Sequence, residues 1–194
     1  MNLYKIDIMK KQFNRRDFIK TTGTASAGMM FGVPAISSSQ KQKQKNMPIT
    51  IEQVDSDFER EPLIRPFGFK GGYMTEIWQT VAQMQSDAGH RKVGLCTQNV
   101  LWSDSKVFAD HSESGGNSLM YAMSERALQM SKGMKFDNPI QLLDEITEEV
   151  YSYGKRITKN PDLRKTFALN ALVGFDNAAW LLYAAKNGIS NFDD

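Results

Sequence analysis

The chain has 194 residues, 41% hydrophobic and 24% charged, the proportions of a globular chain with its own core and not of a disordered or collagenous one. A single cysteine, Cys96, excludes an intramolecular disulfide framework and a multi-cysteine metal cluster, and no window holds the roughly 18 uninterrupted apolar residues of a spanning helix, so no stable membrane span is expected. The net charge of +2 divides into +4 over residues 1–39 and −2 over the rest; the body has no basic stripe for neutralising phosphates, and no nucleic-acid partner is expected.

The N-terminal segment runs through Lys5, Lys10 and Lys11 into Asn14-Arg15-Arg16-Asp17-Phe18-Ile19-Lys20. A weakly apolar stretch rich in Gly, Ala and Thr follows from Thr21 to Ile36, with a small-residue site at Val33-Pro34-Ala35. The pair Arg15 and Arg16, Phe18 two positions on and the closing Lys20 resemble a twin-arginine translocation signal. That resemblance implies a signal peptide over residues 1–39, recognition by the twin-arginine translocase, and export to the periplasm. Residues 40–47, within SSSQKQKQKN and its continuation, read as a polar linker that cannot bury itself. The folded body is expected to begin near Met47.

Ile49 and Ile51 alternate with Thr50 and Glu52 as a half-buried strand does, running towards Phe58. Thr75 to Asp87 reads as a second strand, with Trp78, Ala82 and Met84 on one face and Ile77 and Val81 on the other. Asp87-Ala88-Gly89-His90 supplies a turn, and Lys92 to Thr97 returns with Val93 and Leu95 in phase. Between the first two strands, Pro66 and the glycines of Arg65 to Gly72 predict an irregular loop.

The second half predicts helices. Leu119, Met123, Ala127 and Met130 share one stripe; Asn138-Pro139 opens a helix whose buried face is Ile140, Leu143, Ile146 and Val150. Asn160-Pro161 repeats the device. It opens a long helix with Leu163, Phe167, Ala171, Phe175, Ala178 and Leu182 in phase, stopped by Gly188. Small residues on that stripe, Ala171, Gly174 and Ala178, predict close packing against another element. The fold class is therefore α+β: a three-stranded antiparallel meander followed by a bundle of about three helices.

The last helix reads Gly174-Phe175-Asp176-Asn177-Ala178-Ala179-Trp180-Leu181-Leu182-Tyr183-Ala184-Ala185-Lys186-Asn187-Gly188. With the meander before it, this resembles the N-terminal capping domain of the enolase superfamily, in its mandelate racemase and muconate lactonizing enzyme branch. The match lies in Asp176, Ala179, Trp180, Leu182, Lys186 and Gly188, with Asp87-Ala88-Gly89 and Gly94 echoing the hairpin. Leu181 departs from the pattern, where an acidic residue is common. The resemblance implies a capping domain over residues 48–188, residues 189–194 beginning the connection to a missing C-terminal barrel, and a chain that is an inactive fragment by itself. A barrel needs roughly 250 residues, so no catalytic residue carries over, nor does any ligand for the Mg²⁺ of such enzymes. The parent reaction would be racemisation, epimerisation or a lyase step, by abstraction of a proton alpha to a carboxylate. Dipeptides and sugar acids are the substrate classes implied.

In that family two cap loops close over the barrel mouth. By position they are Arg65 to Gly72 and Asn99 to Gly116, and the side chains implied in substrate binding are Phe69, Lys70, Tyr73 and Trp102. Lys70 would meet a substrate carboxylate and Trp102 would supply an apolar wall. A loop lysine is more often simply solvated, and a tryptophan after a strand more often core, so both readings stand at this point. A stand-alone periplasmic binding or interaction module is the alternative for the whole body.

Other chemistry is thin. His90 and His111 are too few for a histidine-rich metal site, and His111 beside Asp110 and Glu113 lacks a third anchor. Asp144, Glu145, Glu148 and Glu149 fall on a helix surface, and Asp104 and Asp110 in loops, so no cofactor or metal is expected in this segment. Cys96 reads as a buried, inert thiol. Ser114-Gly115-Gly116-Asn117 reads as a hinge and helix cap.

Overall fold

The computed structural model describes residues 47–191; the expected signal, with Arg15, Arg16, Phe18 and Lys20, and most of the expected linker lie outside the described residues. Three strands, β1 (Ile49–Phe69), β2 (Gly72–Ser86) and β3 (Arg91–Gln98), form the antiparallel meander. A two-residue strand, β4 (Lys135–Phe136), pairs with Ile49 and Thr50 on the other side of β1, giving the order β3-β2-β1-β4. Helices α1 (Val100–Ser103), α2 (Ser105–Ser131), α3 (Pro139–Thr158) and α4 (Lys165–Asn187) follow. The α+β class is as expected, with β4 as an addition to the three strands read from sequence.

The phase of β1 changes once. Ile49 and Ile51 are buried, and the register then shifts between Ile51 and Gln53, where a bulge inserts one residue. Because side chains alternate, one extra residue exchanges the two faces. Beyond the bulge Val54 packs on the core and Phe58 stacks on buried Trp78 at 4.3 Å, while Asp55, Asp57, Glu59 and Glu61 share the opposite, solvent face with Ile77 and Val81 of β2.

The expected loop at Arg65 to Gly72 is instead the end of a long hairpin. β1 continues to Phe69, and only Lys70 and Gly71 make the turn, both at positive φ (48° and 80°) as a two-residue type I′ turn requires. Pro66 and Pro62 are tolerated because no described strand pairs with the outer edge of β1 there, so no ladder bond is lost. A second register shift, between Pro62 and Phe67, absorbs Leu63 to Pro66.

Val93 and Leu95 of β3 are in phase but face solvent, Leu95 being 63% exposed. The buried side is Gly94, Cys96 and Gln98, and at Gly94 and Cys96 α4 lies so close that only small side chains fit. A Cβ on Gly94 would stand 2.0 Å from the Gly174 carbonyl oxygen and 2.5 Å from the Ala178 nitrogen. The small-residue stripe of α4 thus meets a small-residue strand. Asn177 and Asn170 donate side-chain amides to the carbonyls of Leu95 (2.9 Å) and Thr97 (3.3 Å), satisfying groups on the sheet's open edge.

Two further details differ from expectation, the buried face of α3 and the start of α4. In α3 the Asn138 side chain accepts from Ile140 N–H as expected, yet Ile140 is exposed and the buried stripe is Leu142, Ile146 and Val150. α4 begins at Lys165, not at Pro161; the preceding turn is closed by Asn160, whose side chain accepts from Asp162 N–H. Its expected stripe from Leu163 to Leu182 is buried throughout and it ends at Gly188, φ 67°. The amide nitrogen of Met47 bonds Asn187 Oδ1 at 3.2 Å, bringing the start of the sheet to the end of α4.

Candidate functional site at the hairpin turn

The segment from Asn99 to Gly116, a loop by its place in the sequence, is mostly helical. Asn99 caps α1, its side chain accepting from Trp102 N–H at 2.9 Å. Asp104, 2% exposed and not a loop-surface residue, caps α2 through Lys106 and Val107 N–H. Its second oxygen accepts Arg164 N–H at 2.9 Å, tying α2 to the start of α4. Two buried or half-buried amides fix α1 from below. Asn117 Oδ1 accepts Val100 N–H (2.8 Å), and Asn170 Oδ1 accepts Asn99 N–H (3.2 Å) and the Ser103 hydroxyl (3.1 Å). The Ser114-Gly115-Gly116-Asn117 run lies within α2, just after a break at Ser112 (φ 66°, ψ 174°). Gly116 is needed there, since a Cβ would stand 2.4 Å from Val100 Cγ2.

On this platform the hairpin turn is seated. Gly72 faces Leu101 and Phe108, which a Cβ would approach to 3.2 and 3.0 Å. Phe69 stacks on Trp102 with ring centroids 5.1 Å apart, and Phe67 lies 6.4 Å from Phe69. Lys70 Nζ donates to the Trp102 carbonyl at 2.9 Å and sits 5.2 Å from the Phe69 ring and 5.9 Å from the Trp102 ring. Three of the four singled-out residues, Phe69, Lys70 and Trp102, are therefore one cluster, and Trp102, at 63% exposed, is not core. Tyr73 is not part of it. It pairs with Gly68 in the hairpin and covers it from the other face, 69% exposed.

Such a cluster offers an ammonium with two aromatic neighbours and an open apolar wall. A cation over aromatic faces is held by the ring quadrupoles, and a lysine so placed keeps donors free for an anionic oxygen.

Because a two-stranded ribbon is marginal alone, the arm needs support beyond the reach of β3. Phe58 contacts Trp78 and Tyr121, and Glu113 accepts from Thr75 N–H at 2.9 Å. Glu76 accepts from Arg60 Nη2 (2.7 Å), Trp78 Nε1 (3.0 Å) and the Ser114 hydroxyl (2.9 Å). Burial pushes the Glu76 carboxyl up, but the donors Arg60, Trp78 and Ser114 outweigh it and hold the group below its ordinary 4.5. A depressed folded-state value stabilises above the ordinary value and is lost as pH falls through the lower one. Acid titration of the urea midpoint from pH 6 to 3 should therefore show a steeper loss for the native chain than for Glu76→Gln; equal slopes would remove Glu76 from the account.

The other titratable candidates are structural. Burial pushes the Cys96 thiol up, and its Sγ lies 3.3 Å from the Asn170 carbonyl oxygen. His111 Nε2 lies 3.0 Å from the Thr158 carbonyl oxygen, while Glu113 serves Thr75. On α4, burial pushes Asp176 up against a hydrogen bond from Trp180. Among the described residues no group of three or more His, Cys, Asp or Glu is placed to hold a metal ion, so they do not fit a Mg²⁺ ion.

No protein-family model and no curated protein matches the chain. Solved structures similar to it include a mandelate racemase/muconate lactonizing protein from Herpetosiphon aurantiacus, 15% identical at TM-score 0.46, covering 69% of this chain and 30% of that one. L-talarate/galactarate dehydratase from Salmonella typhimurium LT2 is 16% identical at TM-score 0.47, covering 86% and 36%. Dipeptide epimerase from Enterococcus faecalis V583, solved with Mg and the dipeptide L-Leu-L-Tyr, is 17% identical at TM-score 0.42, covering 71% and 32%. The chain spans about a third of the length of these proteins.

Proposed function

We propose that the chain is the N-terminal capping domain of an exported, Mg²⁺-dependent racemase, epimerase or dehydratase that abstracts a proton alpha to a carboxylate. Residues 1–39 serve as the signal, 40–47 as linker, 48–188 as the cap, and 189–194 as the start of the connection to a catalytic barrel. The observation that carries the reading is the seating of the β1–β2 turn on α1. It merges the two segments expected to close a barrel mouth into one exposed surface of Phe69, Lys70 and Trp102. The last helix supports it: Ala179 and Leu182 are buried, while Trp180, Leu169, Val173 and Leu181 stay exposed, an apolar face suited to a neighbouring domain.

In this reading Lys70 meets a substrate carboxylate at the rim, and Phe69 and Trp102 exclude water from the substrate's far end. Tyr73, on the other face of the hairpin, would reach substrate only from a second side. No described residue of this chain is assigned to a Mg²⁺ ion.

The test is expression of the open reading frame that contains this chain, followed by Mg²⁺-dependent deuterium incorporation in D₂O with dipeptides, sugar acids and mandelate. Exchange with one of these classes is expected, and Lys70→Ala should lower kcat/KM about tenfold through loss of one charge-assisted hydrogen bond. No exchange with any class, or exchange by the 194-residue chain alone, overturns the reading. For export, changing Arg15 and Arg16 together to Lys should block translocation, because lysine lacks the planar donor fork of arginine; unchanged periplasmic accumulation would sink that assignment.

A further inference from the structure

Among the described residues, no strand pairs with the outer edge of β1 over a long stretch. β4 covers only Ile49 and Thr50, and Ile51 exchanges bonds with Met134 and Gly133; from Gln53 to Pro62 no described strand follows. Ile51 N–H and C=O point to this edge. After the one-residue bulge the parity reverses, so the N–H groups of Ser56 and Phe58 point there instead. Both are already taken: Ser56 N–H donates to Asp55 Oδ1 at 2.9 Å and Phe58 N–H to Asp57 Oδ1 at 2.8 Å. Every solvent-face residue along the stretch from Asp55 to Glu61 is a carboxylate, and an exposed edge is otherwise a template for another strand.

We infer that Asp55, Asp57 and Glu59 close a latent self-pairing edge, and that neutralising them lets β1 pair with β1 of a second copy. The geometry selects the arrangement. An antiparallel pair with its two-fold at Asp57 exchanges bonds between Ser56 of one copy and Phe58 of the other, using the two N–H groups the carboxylates now occupy. It also sets Asp57 against its own symmetry mate and Asp55 against Glu59 of the other copy, so like charges stand directly opposite at three places. The carboxylates oppose pairing twice, by holding the donors and by repulsion. No uncharged position interrupts them on that face, since Asp55, Asp57, Glu59 and Glu61 follow one another at every second residue.

The test compares the native full-length chain with its variants by sedimentation equilibrium and by amide hydrogen exchange at Ser56 and Phe58, over a range of concentrations. Asp55→Thr/Asp57→Thr/Glu59→Thr should self-associate at least about tenfold more tightly than the native chain, since three opposed like-charge pairs are relieved. Its Ser56 and Phe58 amides should gain protection as concentration rises. Adding Ser56→Pro, which removes an edge donor, should abolish both changes, and Asp55→Lys/Asp57→Lys/Glu59→Lys should behave as the native chain because repulsion is retained. If the threonine chain folds poorly by circular dichroism, the isosteric Asp55→Asn/Asp57→Asn/Glu59→Gln chain, which relieves the repulsion but keeps an amide oxygen beside each donor, should still associate more tightly than the native chain. Neutral chains that sediment as the native one does, or that associate equally with Ser56→Pro present, overturn the inference.

Discussion

Gly94→Ala should destabilise the chain by about 3 kcal/mol or more, the upper end of what overpacking costs, because the added carbon meets backbone and not a side chain that can turn away. The Gly174 carbonyl oxygen would be 2.0 Å from it and the Ala178 nitrogen 2.5 Å. The opposite partner behaves differently. A Cβ on Gly174 meets nothing closer than 3.5 Å, and alanine is favoured over glycine within a helix by up to about 1 kcal/mol. Gly174→Ala should leave stability unchanged or raise it slightly. Urea unfolding of the two variants checks the asymmetry, and equal losses would overturn it.

Asp104→Ala should cost about 3 kcal/mol as well, for another reason. Its two oxygens accept three backbone N–H groups, those of Lys106, Val107 and Arg164, at a site 2% exposed to solvent. Removing the acceptor costs a helix cap, roughly 1 kcal/mol, and leaves a further buried donor unpaired at about 1–3 kcal/mol. Asp104→Asn retains an acceptor and should recover about half of the loss. The local consequence is measurable separately: hydrogen exchange at Lys106, Val107 and Arg164 should accelerate more than at Ile146 in α3, and uniform acceleration would reduce Asp104 to a general core residue.

The strands and helices are legible where burial follows period. Ile49 and Ile51, the Trp78, Ala82 and Met84 face, and the stripe from Leu163 to Leu182 lie inside as their apolar spacing implies. Legibility fails where that mark is reversed. Val93 and Leu95 face outward although they are apolar residues of β3, because the close approach of α4 at Gly94 and Cys96 admits only small side chains there. At Arg65 to Gly72 Pro66 and the glycines imitate a loop, because sequence does not reveal which edge of a strand is left without a described partner. Of the candidate site, Phe69, Lys70 and Trp102 are legible as residues, but their contact with one another is not, since it spans 32 positions from Lys70 to Trp102. The side chains that position them, Asn99, Asp104, Asn117 and Asn170, escape a reading by hydropathy because buried polar residues look like surface. A capping signal exists, as Asn99 and Asp104 each directly precede an apolar-containing helical turn.

Met47 and Asn187 meet at 3.2 Å, and between them lies nearly the whole described chain. The order in which the protein can assemble follows from this. The inner face of the sheet, with Ala82, Gly94 and Cys96, receives its cover from α4, the last of the described helices to be synthesised. While a nascent chain has emerged only as far as α3, that face has no partner from α4, and contacts of such long sequence separation form slowly. Assembly of the sheet against this cover is therefore a late event, and the interval before it is when the uncovered strands are most open to misassociation.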